Sequence, residues 1–258
     1  MQNRPKKSLG QNFLLDKNIL NKIVKIGKIS DNDHVLEVGP GTGNLTKYII
    51  GANPKSITVV EKDTRLCNFL NKKFNKRIKI VNDDILKIPD KFYDDNFIIF
   101  GNLPYNISTQ ILARWCLNNQ FRFKKLILMF QKEVGNRIIA DVNTKYYSRI
   151  TVLANWKFHV RKICEIDQNC FFPKPKVNSM LLEFVPKFSF IKINNPKNLE
   201  KITNIFFNQR RKMIKNTLKK VFGEYDFIQK KINLNVKDRP QNITIEKYLL
   251  IVKEFEKN

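Results

Sequence analysis

Histidine is almost missing from this chain: His34 and His159 are the only two in 258 residues. They stand far apart, each at a strand end, which argues against imidazole chemistry and against a histidine-rich metal site. Cysteine is scarce as well. Cys67, Cys116, Cys164 and Cys170 form no CxxC pair, a pattern that disfavours zinc and suits reduced thiols in the cytoplasm. No apolar run approaches the roughly 20 residues that a membrane-spanning helix needs. The opening stretch, MQNRPKKSLGQNFLLD, is charged and lacks the apolar heart of a secretion signal. Internal repeats and low-complexity segments are absent too.

Negative charge is also in short supply. Against 48 Lys and Arg there are 23 Asp and Glu, a formal net charge of +25. Solubility alone needs far less. A surplus of this size suits a polyanionic partner, because each phosphate neutralised releases a counterion. The competing explanation is a general lysine bias with no partner. The expectation is a cytoplasmic monomer that meets nucleic acid and no membrane.

What is present is a well-formed core, with 42% hydrophobic residues, and an alternation of strands and helices. HVLEVG (34–39), SITVVE (56–61), RIKIVN (77–82), FIIFG (97–101) and KLILMFQ (125–131) read as strands. After a glycine-rich turn a helix is expected through about Ile50, with others over about 64–74, 108–117, 132–139 and 147–156. Apolar strands separated by helices imply a parallel sheet covered on both faces. KFHVRKICEI and SMLLEFV read as two last strands joined by a loop without a helix, and should pair antiparallel. After Pro186 only helices are read, the clearest over 201–220, with a break near Asn208, and 243–256. The predicted organisation is an α/β domain over 1–186 and a small all-α domain over 187–258. The second carries 17 basic and 7 acidic residues. Its run QRRKMIKNTLKK, with Arg210, Arg211 and Lys212, suits either a solvated helix face or phosphate contact.

EVGPGTGNL follows the first of these strands directly. Gly39, Gly41 and Gly43 permit a tight turn and a close approach of backbone to ligand. The sixth position of a dinucleotide GxGxxG fingerprint is Asn44 here. That fits a ligand whose amino-acid part passes the loop better than one with a pyrophosphate on the helix end. Glu61 ends the next strand, where a carboxylate can accept two ribose hydroxyls. Asp84, with Asp83 as the competing choice, follows the third strand and could accept an adenine amine. Acids and a glycine loop at successive carboxyl ends of strands outline a ligand crevice.

The stretch FGNLPYNIS leaves the fourth strand on the same edge. An adenine amine is a poor nucleophile, its lone pair being delocalised into the ring. The side-chain oxygen of Asn102 and the carbonyl of Leu103 could each accept one amine hydrogen and favour a pyramidal nitrogen. Pro104 stiffens the loop so that the acceptors are preorganised. Tyr105 offers a ring for an extruded base, a stacking contact of roughly 1–3 kcal/mol. An ordinary strand-to-helix turn with an Asn cap and an early Pro explains the same four residues.

NLPYNIS resembles motif IV of the S-adenosylmethionine-dependent adenine-N6 methyltransferases. GQNFLLD (10–16), EVGPGTGNLT, QKEV (131–134) and FFPKPKVNS stand in the order of the KsgA/RsmA family of small-subunit rRNA adenine dimethyltransferases, which the chain resembles from Gly10 to Ser179. The resemblance implies a Rossmann-like class I methyltransferase sheet, mostly parallel with its last strand antiparallel, and S-adenosylmethionine as cofactor. It implies cofactor contacts from Asn12, Leu14, Gly39, Gly41, Glu61, Asp84 and Asn102. Catalysis falls to Asn102, Leu103, Pro104 and Tyr105, with Phe171 closing the far side of the base; Phe172 beside it is the competing ring. Arg4, Lys6, Lys7 and Lys176 join the C-terminal cations as RNA contacts, and an immature small ribosomal subunit is the implied partner. One departure is Lys62, which stands where an apolar neighbour of the cofactor adenine is expected.

The alternatives are a 23S rRNA methyltransferase of the macrolide-resistance type, a DNA adenine methyltransferase and a non-catalytic RNA-binding assembly or transcription factor. The first favours isoleucine at the position of Leu103, and the second more often carries a large target-recognition domain. The third has no need of the intact set Glu61, Asp84 and Asn102 to Tyr105.

Overall fold

The computed structural model describes residues 4–93, 96–119 and 122–257. Its strands are β1 (Phe13–Leu14), β2 (His34–Val38), β3 (Ser56–Glu61), β4 (Lys79–Asn82), β5 (Phe97–Asn102), β6 (Phe123–Gln131), β7 (Phe158–Ile166), β8 (Phe171–Phe172) and β9 (Ser179–Pro186). Its helices are α1 (Lys17–Gly27), α2 (Asn44–Gly51), α3 (Thr64–Phe74), α4 (Ser108–Leu117), α5 (Lys132–Ile138), α6 (Arg149–Lys157), α7 (Pro196–Asn208), α8 (Lys215–Phe222), α9 (Asp226–Ile232) and α10 (Ile245–Phe255).

Seven strands form one sheet in the order β4-β3-β2-β5-β6-β9-β7. β2 pairs in parallel with β3 and β5, β3 with β4, and β5 with β6. β9 inserts beyond β6 and runs antiparallel to it, with Gln131 opposite Ser179. The strand interiors are apolar on both faces: Val35, Leu36, Val59, Ile99, Phe100 and Leu128 are fully buried. Each such side chain stabilises the fold by about 1.5–3 kcal/mol relative to exposure. That two-sided burial is why these strands read as continuous apolar runs.

The polypeptide divides into two compact units. The first comprises residues 1–111, 120–135 and 160–186, and carries most of the sheet. The second comprises 112–119, 136–159 and 187–258, and is helical, with α10 packed on α6, α7 and α9.

Two elements have no counterpart in the sequence reading. Helix α1 is capped by Asp16, whose carboxylate accepts from Ile19 N at 2.9 Å, and closes on Lys28 in the left-handed region. A short ribbon pairs β1 with β8, setting Phe13 against Phe172 and Leu14 against Phe171. In the second unit the helix expected over 201–220 is broken after Asn208. The N–H groups of Ile214 and Lys215 turn to the carbonyls of Asp238 and Val236, at 2.8 and 3.2 Å.

Candidate active site

A cavity opens at the carboxyl ends of β2, β3, β4 and β5, all within the first unit. Asn12, Gly39, Gly41, Glu61, Asp84 and Asn102 line it, as do Leu14, Leu103, Pro104 and Tyr105.

The floor is the turn between β2 and α2. Gly39, Gly41 and Gly43 have φ of 69°, 58° and 75°, in the left-handed region. At Gly41 the constraint is also spatial, since a Cβ there would lie 2.7 Å from the ring of Phe13. This close approach lets the N-terminal arm roof the loop. Asn44, which replaces the third glycine of a dinucleotide fingerprint, donates its amide to the Leu14 carbonyl at 2.9 Å and ties α2 to that arm.

Glu61 is buried at the end of β3. Its carboxylate accepts from Gly41 N at 3.2 Å and Asp63 N at 2.9 Å. Burial nevertheless holds its pKa above the ordinary carboxylate range. Asp63 caps α3 and pairs with Arg65 at 2.7 Å, which brings its pKa down to about 2. Asp84 is half-buried. Leu86 N donates to one of its oxygens at 3.0 Å and Lys62 Nζ to the other at 2.9 Å. Burial pushes its pKa up, but those bonds outweigh it and the net shift is downward. Lys62 therefore meets Asp84 itself at the cavity wall. Asp83 is exposed; it also lines the cavity and accepts from Asp84 N at 2.6 Å.

Asn102 ends β5 beside the glycine turn. Its side-chain nitrogen donates to the Asn12 carbonyl at 2.7 Å. Among the described residues no donor reaches its Oδ1, which is left as an acceptor. Leu103 is buried. The carbonyl of Pro104 accepts from Ile107 N at 3.1 Å, shaping the turn into α4. Tyr105 is half-buried, its hydroxyl 2.5 Å from that of Ser179, and burial raises its pKa.

Other expected residues do not line the cavity. Phe171 is 4% exposed and packs in the apolar core with Leu14, which does line it, whereas Phe172 is 58% exposed. Lys6 lies 3.7 Å from Asp63. Arg210 donates to the Lys145 carbonyl. Arg4, Lys176, Arg211 and Lys212 are exposed. The backbone of Lys7 sits in a short 3-10 turn, and its side chain lies outside the described part.

Glu37 escaped the sequence reading. It lines the cavity, is 2% exposed and accepts from Thr46 Oγ1 at 2.6 Å. Burial, with Glu61 nearby, raises its pKa to about 7. The signal was a lone carboxylate within an otherwise apolar buried strand. Gln11 also lines the cavity; it bonds to Asp63 and Lys6, holding the arm in place.

A parallel sheet with this strand order and a glycine-floored, acid-rimmed cleft at its carboxyl edge defines a Rossmann-like methyltransferase. The sequence matches the model of the ribosomal RNA adenine dimethylases over residues 2–257. It is 50% identical over 256 residues to the ribosomal RNA small subunit methyltransferase A of Pelagibacter ubique (strain HTCC1062), covering 98% of this chain and 97% of that one. The protein of the same name from Malacoplasma penetrans (strain HF-2) is 39% identical over 253 residues, 96% and 91% of the two chains. Thus the chain belongs to the ribosomal RNA adenine dimethylase family. Among solved structures, a dimethyladenosine transferase from Plasmodium falciparum aligns with a TM-score of 0.80 at 26% identity, covering 95% of this chain and 98% of that one. The 23S rRNA methyltransferase ErmE aligns at 0.68 and 22% identity over 95% and 99%, a likeness of fold.

Proposed function

We propose that this protein transfers methyl groups from S-adenosylmethionine to N6 of two adjacent adenosines in the 3′-terminal hairpin loop of small-subunit rRNA, giving dimethyladenosines. It would act as a monomer in the cytoplasm, on an immature small ribosomal subunit. Family membership and the names of its relatives support the substrate.

The residues around the cavity suit this cofactor. Glu61 is held by two backbone N–H groups and keeps lone pairs for two ribose hydroxyls. Asp84, with Asp83 beside it, offers acceptors to an adenine amine. The glycine turn leaves room for a methionine chain, and the two acids favour a cationic ligand. When bound, the cofactor supplies a methyl group on an already activated sulfonium. Asn12 and Leu14 belong to the arm that covers this site.

The observation that carries the reading is the bond from Asn102 to the Asn12 carbonyl. With its nitrogen committed, the carboxamide presents Oδ1 as an acceptor for one amine hydrogen of the target adenine. The Leu103 carbonyl takes the other. The two acceptors draw the amine towards a pyramidal geometry and aim its lone pair at the methyl carbon. No strong base is required, because the proton leaves after attack. Pro104 keeps the loop stiff, and Tyr105 supports one face of the unstacked base. The opposite face falls to the late loop, where Phe171 is buried and Phe172 is the accessible ring. Arg4, Lys176, Arg211 and Lys212 are free to meet phosphates, while Lys6 and Arg210 have partners within the protein.

The test is methyl transfer from labelled cofactor to isolated, unmethylated ribosomal subunits. Label in small-subunit rRNA alone is expected. Label in the large subunit, or none in either, would overturn the reading.

A further inference from the structure

Ser179, the last residue of FFPKPKVNS, has no part in the mechanism above. It is fully buried at the start of β9, opposite Gln131 of β6. Its hydroxyl lies 2.5 Å from that of Tyr105, a residue 74 positions earlier in the chain. Neighbouring bonds fix Ser179 in place. The carbonyl of Asn178 accepts from Lys132 N at 2.9 Å, and its side-chain oxygen accepts from Gln168 N at 3.2 Å. Tyr105 is held at its other end too, where its carbonyl accepts from Ser108 Oγ at 3.2 Å.

A tyrosine side chain has two rotatable bonds. Its hydroxyl oxygen lies on the axis of the second, so a bond there fixes the swing about the first and with it the place where the ring stands. The backbone bond alone does not. Burial strengthens the case: a buried hydroxyl left without a partner is costly, so the paired orientation dominates.

We propose that Ser179 is a positioning residue: through its hydrogen bond it holds the Tyr105 ring at the place where the target adenine stacks. The two motifs NLPY and FFPKPKVNS then form one device, with the late loop setting the position of the base platform. This rests on the methyltransferase reading given above.

The test is a double-mutant cycle of Ser179→Ala, Tyr105→Phe and the pair, read as methyl transfer to unmethylated small subunits. Loss of platform alignment lowers kcat/KM for RNA by about 10-fold in each single variant. The pair should be no slower than the slower single variant, and cofactor Kd by calorimetry should stay unchanged. A second readout uses RNA with 2-aminopurine at the target position. Stacking should quench its fluorescence with the unchanged protein, and Ser179→Ala should lose much of that quench at equal RNA affinity. Multiplicative losses in the pair, full activity of either single variant, or an unaltered quench would overturn the proposal. If Ser179→Ala folds poorly, Tyr105→Phe keeps the ring and removes the bond from the other side, so its rate and quench still decide. No transfer by the unchanged protein would sink the methyltransferase reading itself; transfer with independent variants sinks the positioning role alone.

Discussion

The two compact units handle charge in opposite ways. In the sheet unit the acids that matter are buried or half-buried and each is held by a named partner: Glu61 by two backbone N–H groups, Glu37 by Thr46, Asp84 by Lys62 and Leu86. In the helical unit the cations Arg211, Lys212, Lys215, Lys219 and Lys220 lie exposed along one short stretch. A buried, partnered group has one geometry and a large energy at stake. A field of exposed lysines acts through its sum, and any single member is worth little. Chemistry should therefore be brittle to single substitutions in the first unit, and RNA grip should degrade gradually in the second.

The largest expected effect is at Asn102. Asn102→Ala removes the acceptor and should slow methyl transfer by about 10²–10³-fold in single-turnover assays at saturating cofactor. A slowing of less than tenfold would place the chemistry elsewhere. Next comes Glu37. Burial pushes its carboxyl up to about 7 in the fold, from an ordinary value near 4.5. Burial thus leaves stability undiminished below pH 4.5 and erodes it as pH rises towards 7. Glu37→Gln should gain on the unchanged protein across that window, by up to about 3 kcal/mol at pH 7 and above. Urea unfolding at several pH values reads this difference; a pH-independent offset would contradict it. Glu61→Gln should then weaken cofactor binding by roughly 10–100-fold, the worth of a charge-assisted hydrogen bond, while RNA affinity holds. Calorimetry checks both. The smallest effect belongs to Arg211→Ala with Lys212→Ala. RNA affinity should fall only a few-fold, and the slope of log K on log salt should shrink by at most about 2. Complete loss of RNA binding in that pair would break the contrast between the units.

Much of this arrangement was legible in the residues. The strands of the sheet announce themselves because two-sided burial writes unbroken apolar runs, and the glycine turn, Glu61, Asp84 and Asn102 all fall at their carboxyl ends. The missed features share a cause, namely pairing over long separations. The β1–β8 ribbon consists of two-residue strands about 160 residues apart, too short to carry a periodic signal. The break near Asn208 is expected from the sequence; the carbonyls of residues 236 and 238, which take the N–H groups of Lys215 and Ile214 beyond it, are not. Ser179 reads as the first residue of a strand, and nothing in the sequence links its hydroxyl to Tyr105. Helix α1 is different, since Asp16 and the spacing of Leu20, Ile23 and Gly27 were there to be read. Phe171 illustrates the remaining limit: two adjacent phenylalanines are equivalent in sequence, and strand alternation buries one and exposes the other.

The central claim is that the Asn102 carboxamide, held by Asn12, prepares an adenine amine for methylation. Mass spectrometry of nucleosides from unmethylated small-subunit rRNA, incubated with cofactor and either the unchanged protein or Asn102→Ala, tests it most directly. The account predicts two neighbouring N6,N6-dimethyladenosines with the former and unmodified adenosine with the latter, although both bind the particle. Dimethyladenosine formed at the normal rate without that side chain would contradict it.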